Sequence, residues 1–326
     1  VRAYVQGQFP SGHVESRSYY LFLSAEPGGV RHSDKPDDVG YKPKLPPTMM
    51  PIPAFPVPPG SPRPYEAPPG TEVSVEQVPV MVTGRWEYML EDGVTSKPIR
   101  FALVQISDGY GWSRTGLTYA DGSYSFDFFM TGPSYLYVVV YSLSDVAAVT
   151  DAANVLYADV TSWWYVDPWD PFTWDFGTWF TLPEYENWQA MDDAIDEHDW
   201  IYEKVGWERT QVQIRWPCGE GACCWGDIID LPLKAVRYWN RPTVLHEYGH
   251  SVMYAAYGDH FPPGPGPSPH SVWSESSLGF AMCEGWAEFM QCAVDDDPDN
   301  CQDEWGLCNI ETNDWYNWQD SGDMDG

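Results

Sequence analysis

Two histidines four residues apart flank a glutamate in the run His246-Glu247-Tyr248-Gly249-His250. On an α-helix such residues lie one turn above each other on one face, so both imidazoles reach a single metal ion. Glu247 then points into the same cleft, where a carboxylate takes a proton from a metal-activated water and later hands it to a leaving amine. In a chain with seven histidines this motif arises by chance on the order of once in a hundred such sequences. The competing reading is a pair of buried histidines held by hydrogen bonds with no metal. Val244, Leu245, Val252 and Met253 supply apolar positions around the motif, and Gly258 is placed to end the helix. Gly249 inside it costs about 1 kcal/mol relative to alanine.

A catalytic zinc takes three protein ligands and leaves the fourth position to water. The metzincin arrangement needs a histidine six residues beyond His250, and that residue is Ala256. The remaining candidates are Glu284 in Cys283-Glu284-Gly285-Trp286-Ala287-Glu288-Phe289, and His270, Glu275, His260 and Asp259 in the intervening proline-rich loop. The segment around Glu284 resembles the EGxA segment of gluzincin peptidases, whose glutamate ligates zinc from the following helix; its separation of 34 residues from His250 fits that class. The runs HEYGHSVMYAAYG, SPHSV and CEGWAEF carry this resemblance, mainly over residues 185–326. It implies a secreted zinc endopeptidase with His246, His250 and Glu284 on the metal, Glu247 as base and a polypeptide substrate. Glu288, one turn past Glu284, is placed to accept a hydrogen bond from the outer N–H of a zinc histidine; the alternative is a solvated surface carboxylate. For the oxyanion donor the resemblance leaves Tyr316, Tyr254 and His270.

These residues need elements to position them. Trp188, Met191, Ala194, Ile195, His198 and Ile201 or Tyr202 recur at helical steps after Pro183, predicting a helix. Residues 210–216 and 226–231 read as strands, the second as an edge strand able to pair with an extended peptide. Pro242 and Thr243 open the motif helix, with Thr243 as its cap. Earlier, alternating stretches at 80–83, 99–106, 123–129 and 135–141 predict an antiparallel β-sandwich, and aromatic-rich strands in 155–181 close it. The turn and strand Ala120-Asp121-Gly122-Ser123-Tyr124-Ser125-Phe126 resembles the transthyretin-like or carboxypeptidase-regulatory-like modules of secreted enzymes. Prolines recurring from 43 to 69 around Met49, Met50, Ile52 and Phe55 predict a polyproline II linker. Short strands at 1–6 and 19–23 have no evident local partner.

The fold class expected is therefore α+β and multidomain: an N-terminal β arm (1–40), a linker (41–77), a β-sandwich (78–182) and a zincin-like α+β metallopeptidase domain (183–326). The chain starts without a signal peptide and stops soon after Glu288, as a processed and truncated gluzincin would. A formal charge of −31, from 17 Lys and Arg against 48 Asp and Glu, repels phosphate backbones and argues against nucleic acid as a partner. No run approaches the roughly 18 apolar residues of a membrane span. The acidic surface suits a protein that stays soluble outside the cell, and the expected location is secreted or at the cell surface. All seven cysteines, from Cys218 to Cys308, fall in the last third, the pattern of local disulfides. Asp295, Asp296, Asp297, Asp299, Asp303 and Glu304 form an acidic loop suited to calcium. A different class remains: an extracellular filament or surface-layer subunit that keeps the zincin fold and self-assembles through its N-terminal arm.

Overall fold

The computed structural model describes residues 2–8, 14–20, 77–90, 92–169, 172–181, 186–219, 221–233, 241–264, 266 and 276–296. The proline-rich stretch, His270, Glu275, Tyr316, Cys301, Cys308 and the acidic residues after Asp296 lie outside these. The chain forms two compact units, Val1–Pro46 and Pro47–Gly326. In the first, β1 (Arg2–Gln8) and β2 (Val14–Tyr20) pair antiparallel, Arg2 opposite Tyr20 and Gln8 opposite Val14. The stretch expected at 1–6 thus has a local partner in β2, which shares only residues 19 and 20 with the strand expected at 19–23; residues 21–23 lie outside the described residues.

The second unit is a mixed α+β fold. Period-two alternation builds its first sheets: β3 (Val78–Met89) buries every second residue, and β7 (Ser123–Met130) turns Tyr124, Phe126, Phe128 and Met130 inward. β7 and β4 (Ser96–Pro98) pair antiparallel along one edge of β3, and β12 (Thr173–Thr181) runs parallel along the other. The purely antiparallel sandwich expected is corrected at this edge, because the chain crosses the whole sandwich before β12 returns in the direction of β3. Facing them, β5 (Leu103–Ser107) lies between β6 (Ser113–Leu117) and β8 (Ser134–Tyr141), whose far edge takes β10 (Ala158–Val160) and β11 (Trp164–Val166). The facing sheets share one apolar core in which Val82, Trp86, Val104, Ile106, Phe126 and Val138 meet.

A further sheet connects the sandwich to the helices. Its order is β14 (Cys223–Cys224), β15 (Ile228–Asp230), β13 (Val212–Arg215), β9 (Ala147–Thr150). β9, fully buried and drawn from within the expected sandwich range, pairs parallel with β13, Ala147 opposite Val212. A sheet therefore spans position 182, and the same core continues into Trp188, Ile195, Ile214, Val244 and Met290. The strand expected at 226–231 is interior as β15, and the two-residue β14 is outermost among the described strands.

Helix α1 (Glu186–Val205) buries Trp188, Met191, Ala194, Ile195 and Ile201 as its periodicity predicts, while Tyr202 is exposed. It also buries Asp192, Asp193 and Glu197, which the pattern alone assigns to a solvated face. Cations from distant segments compensate them. Arg100 donates through Nε to Asp192 and through Nη2 to Asp196, each at 2.6 Å, and Arg241 donates to Asp193 at 2.9 Å and to Asp196 and Asp295 at 2.6 Å. The Tyr88 hydroxyl donates to Asp192 at 3.1 Å.

Burial pushes the Asp193 carboxyl up to about 7 despite Arg241, and it raises Glu197 well above the ordinary range. Neither carboxyl oxygen of Glu197 has a hydrogen-bond partner among the described residues. A folded-state pKa above the unfolded value means that folding favours the protonated form. The contribution of Glu197 is then fully present below its unfolded value, about 4.3, and is lost as pH rises toward the raised one. Glu197→Gln should consequently gain Tm over the wild type progressively between pH 5 and pH 8; parallel Tm curves for the two proteins across that range would contradict this account.

Candidate metal centre

Two helices carry the centre. Helix α2 (Arg241–Ala256) holds the histidine motif, and α3 (Leu278–Asp295) holds Glu284 and Glu288. The first residue of α2 is Arg241, so Thr243 lies inside the first turn rather than capping it. Its end follows expectation: Gly258 takes φ +80° and the amides of Gly258 and Asp259 donate to Ala255 and Tyr254. Ser277 caps α3, accepting from the Phe280 amide at 3.2 Å. Gly249 explains its own presence. A β-carbon there would sit 3.1 Å from Met290 Cβ and 3.3 Å from Ala287 Cα, so the backbones approach more closely than alanine allows without a shift. Trp286 reinforces the contact, donating from Nε1 to the Gly249 carbonyl at 3.0 Å.

This approach brings three donor atoms together. The Nε2 atoms of His246 and His250 are 3.1 Å apart, and Glu284 Oε2 lies 3.4 Å from the first and 3.3 Å from the second. Zinc bonds of about 2.05 Å at tetrahedral angles set donors about 3.3 Å apart, so this triangle fits one face of a zinc tetrahedron. His246, His250 and Glu284 are the one cluster of metal-capable groups among the described residues. The rings stand nearly perpendicular, 85° apart, with centroids separated by 4.7 Å.

The field at the triangle favours a cation. Burial on its own lowers the His246 pKa, but the hydrogen bond to Glu284 and the carboxylates of Glu288 and Glu247 outweigh it and raise the imidazole to about 9. A divalent ion offers those carboxylates the charge that the proton otherwise supplies. Glu288 Oε1 is 3.6 Å from His246 Nδ1, on the ring edge away from the triangle. Gln291, fully buried, donates from Nε2 to Glu288 Oε2 at 2.5 Å. Glu247 is buried beside the triangle, and its charge raises the Cys224 thiol on β14, after burial itself. β14 packs against α2, the helix that carries the motif glutamate.

Other expected residues fall elsewhere. Asp259 terminates α2, and exposed His260 faces the Gly258 carbonyl at 3.2 Å; neither joins the cluster. Tyr254 packs against Phe261, ring centroids 5.1 Å apart, and Phe261 lies 6.4 Å from the His250 ring. Asp295 of the acidic loop closes α3 and pairs with Arg241. None of the expected local disulfides joins the described cysteines to one another; Cys301 and Cys308 lie outside the described residues. Cys283 is buried in α3, and burial followed by the Glu284 charge pushes its thiol up to about 11; a protonated thiol exchanges poorly. Sequence reasoning missed Gln291, Arg209 and Ser251. Only the scarcity of basic residues pointed toward Arg209, since each of 17 cations among 48 acids has a choice of partners.

Residues 200–326 match the mycolysin C-terminal domain family model. The matched segment starts inside α1 and takes in β13, β14, β15, α2 and α3. The match points to a secreted, zinc-dependent peptidase family. No curated protein matches the chain. Among the described residues, no helix is long and apolar enough to cross a membrane.

Proposed function

We propose that this protein is an extracellular zinc endopeptidase of gluzincin type. His246, His250 and Glu284 hold the metal, Glu247 is the general base, and Glu288 orients His246. The observation that carries this reading is the donor triangle, with edges of 3.1, 3.4 and 3.3 Å, beside a buried glutamate. A zinc ion held there supplies Lewis acidity, which acidifies water and polarises a peptide carbonyl. Glu247 removes a proton from the attacking water and delivers it to the departing amine nitrogen. Burial keeps bulk water from screening that carboxylate. An extended polypeptide would pair with β14, the outermost strand beside Glu247. The filament alternative drew on unpaired N-terminal strands and on the apolar proline-rich stretch; β1 and β2 pair with each other, and the proline-rich stretch lies outside the described residues.

Zinc binding and hydrolysis test the reading together. Equilibrium dialysis should give one zinc per chain, a chelator should abolish casein hydrolysis, and added zinc should restore it. Activity that survives complete removal of metal would sink the proposal. In the same dialysis, Glu288→Gln should weaken zinc binding by about 10–100-fold, the usual cost of losing a carboxylate behind a ligating histidine. An unchanged affinity would return Glu288 to the role of a surface carboxylate.

A further inference from the structure

Arg209 is 4% exposed, and its guanidinium reaches two distant chain segments as well as its own neighbour Thr210. Nε donates to both the carbonyl and the hydroxyl of Ser251 at 3.1 Å, Nη2 donates to Asp227 Oδ1 at 2.6 Å, and Nη1 donates to Thr210 Oγ1 at 2.5 Å. Ser251, fully buried, directly follows His250. Asp227 directly precedes β15, and its carbonyl accepts from the Gln213 amide at 2.8 Å. One side chain therefore connects the helix after its second motif histidine to the turn of the β14–β15 hairpin. A second contact adjoins it. At Gly226, where φ is +84°, a β-carbon would fall 2.7 Å from the Tyr254 ring, so the hairpin turn lies directly on a side chain of α2, one turn past His250.

Pairing with β13 anchors β15, whereas the turn and the two-residue β14 beyond it have little stability of their own, and Arg209 gives that outer part a second attachment. We propose that Arg209 is a positioning residue that sets the register of the β14–β15 hairpin over α2, and through it the alignment of an extended peptide beside Glu247. The peptide part rests on the proposed peptidase function; the positioning part does not. The planar fork is essential, because an ammonium group supplies charge without meeting Ser251, Asp227 and Thr210 in one plane.

The test uses Arg209→Lys together with the milder Asp227→Asn, which keeps the side-chain shape and removes the ion pair. Hydrogen exchange, zinc affinity and steady-state kinetics on a casein-derived peptide are measured on both variants and on the wild type. Amides of residues 223–230 should exchange about tenfold faster and KM should rise about tenfold, with kcat and zinc affinity within about twofold of wild type. If Arg209→Lys does not fold, Asp227→Asn decides alone. Unchanged exchange in the hairpin overturns the proposal, as does a joint fall in kcat and zinc affinity at constant KM, which would place the effect on the histidines. A wild type lacking peptidase activity would remove the peptidase reading, and hairpin exchange would still decide whether Arg209 sets the register.

Discussion

Replacing Glu247 with glutamine leaves one zinc per chain and lowers kcat on casein by about 10²–10⁴, with KM little altered. Glutamine matches the shape of the buried side chain, so the helix contact at Gly249 and the donor triangle are undisturbed. It has no basic oxygen to take a proton from water, and the loss therefore falls on the chemical step rather than on binding. Each outcome is diagnostic. Full activity in Glu247→Gln would remove Glu247 from the mechanism. Loss of zinc together with activity would show that the glutamate supports the metal site itself, and the division of labour between Glu247 and Glu284 would be wrong.

Arg241→Ala should destabilise the fold by about 3–5 kcal/mol, the usual cost of stranding a buried charge, and lower Tm by on the order of 10 °C. Arg241 meets Asp193, Asp196 and Asp295 at once, and Asp193 is fully buried. Without the guanidinium, Asp193 must ionise alone or hold its proton. Its pKa already stands at about 7 with Arg241 present, so the variant should be damaged less at pH 5, where the carboxyl is neutral, than at pH 8. Thermal melts at both values check this. An equal loss at the two pH values would mean that Arg241 acts through Asp196 and Asp295 alone.

Local patterns made the centre legible. His246, Glu247 and His250 are related by the turn of one helix, and so are Glu284 and Glu288, so spacing sufficed to place each set on one face. The apolar face of α1 was legible for the same reason. Its buried acids were not, because a carboxylate tolerates burial only beside a cation, and here the cations are Arg100 and Arg241, far along the chain from Asp192 and Asp193. Strand order was equally hidden: β9 and β13 are separated by the rest of the sandwich and all of α1, and no local pattern records that Ala147 lies opposite Val212. The strand at 226–231 was recognisable as a strand, but its place inside the sheet depends on the two-residue β14, too short to show a period. Gly249 registered as a cost, and only the approach of Met290 and Ala287 shows what that cost permits.

The pairing of β9 with β13 bears on how this molecule can be divided. A fragment cut at residue 183, or at the start of the matched segment, would carry α2 and α3 but leave the β13 edge with unpaired amides and carbonyls, a template for intermolecular association. Excision at residue 200 would also strip Asp193 and Asp196 from Arg241. The sandwich therefore completes the sheet beneath the histidine helix, and the smallest unit with that sheet intact extends upstream at least to the strand containing Ala147.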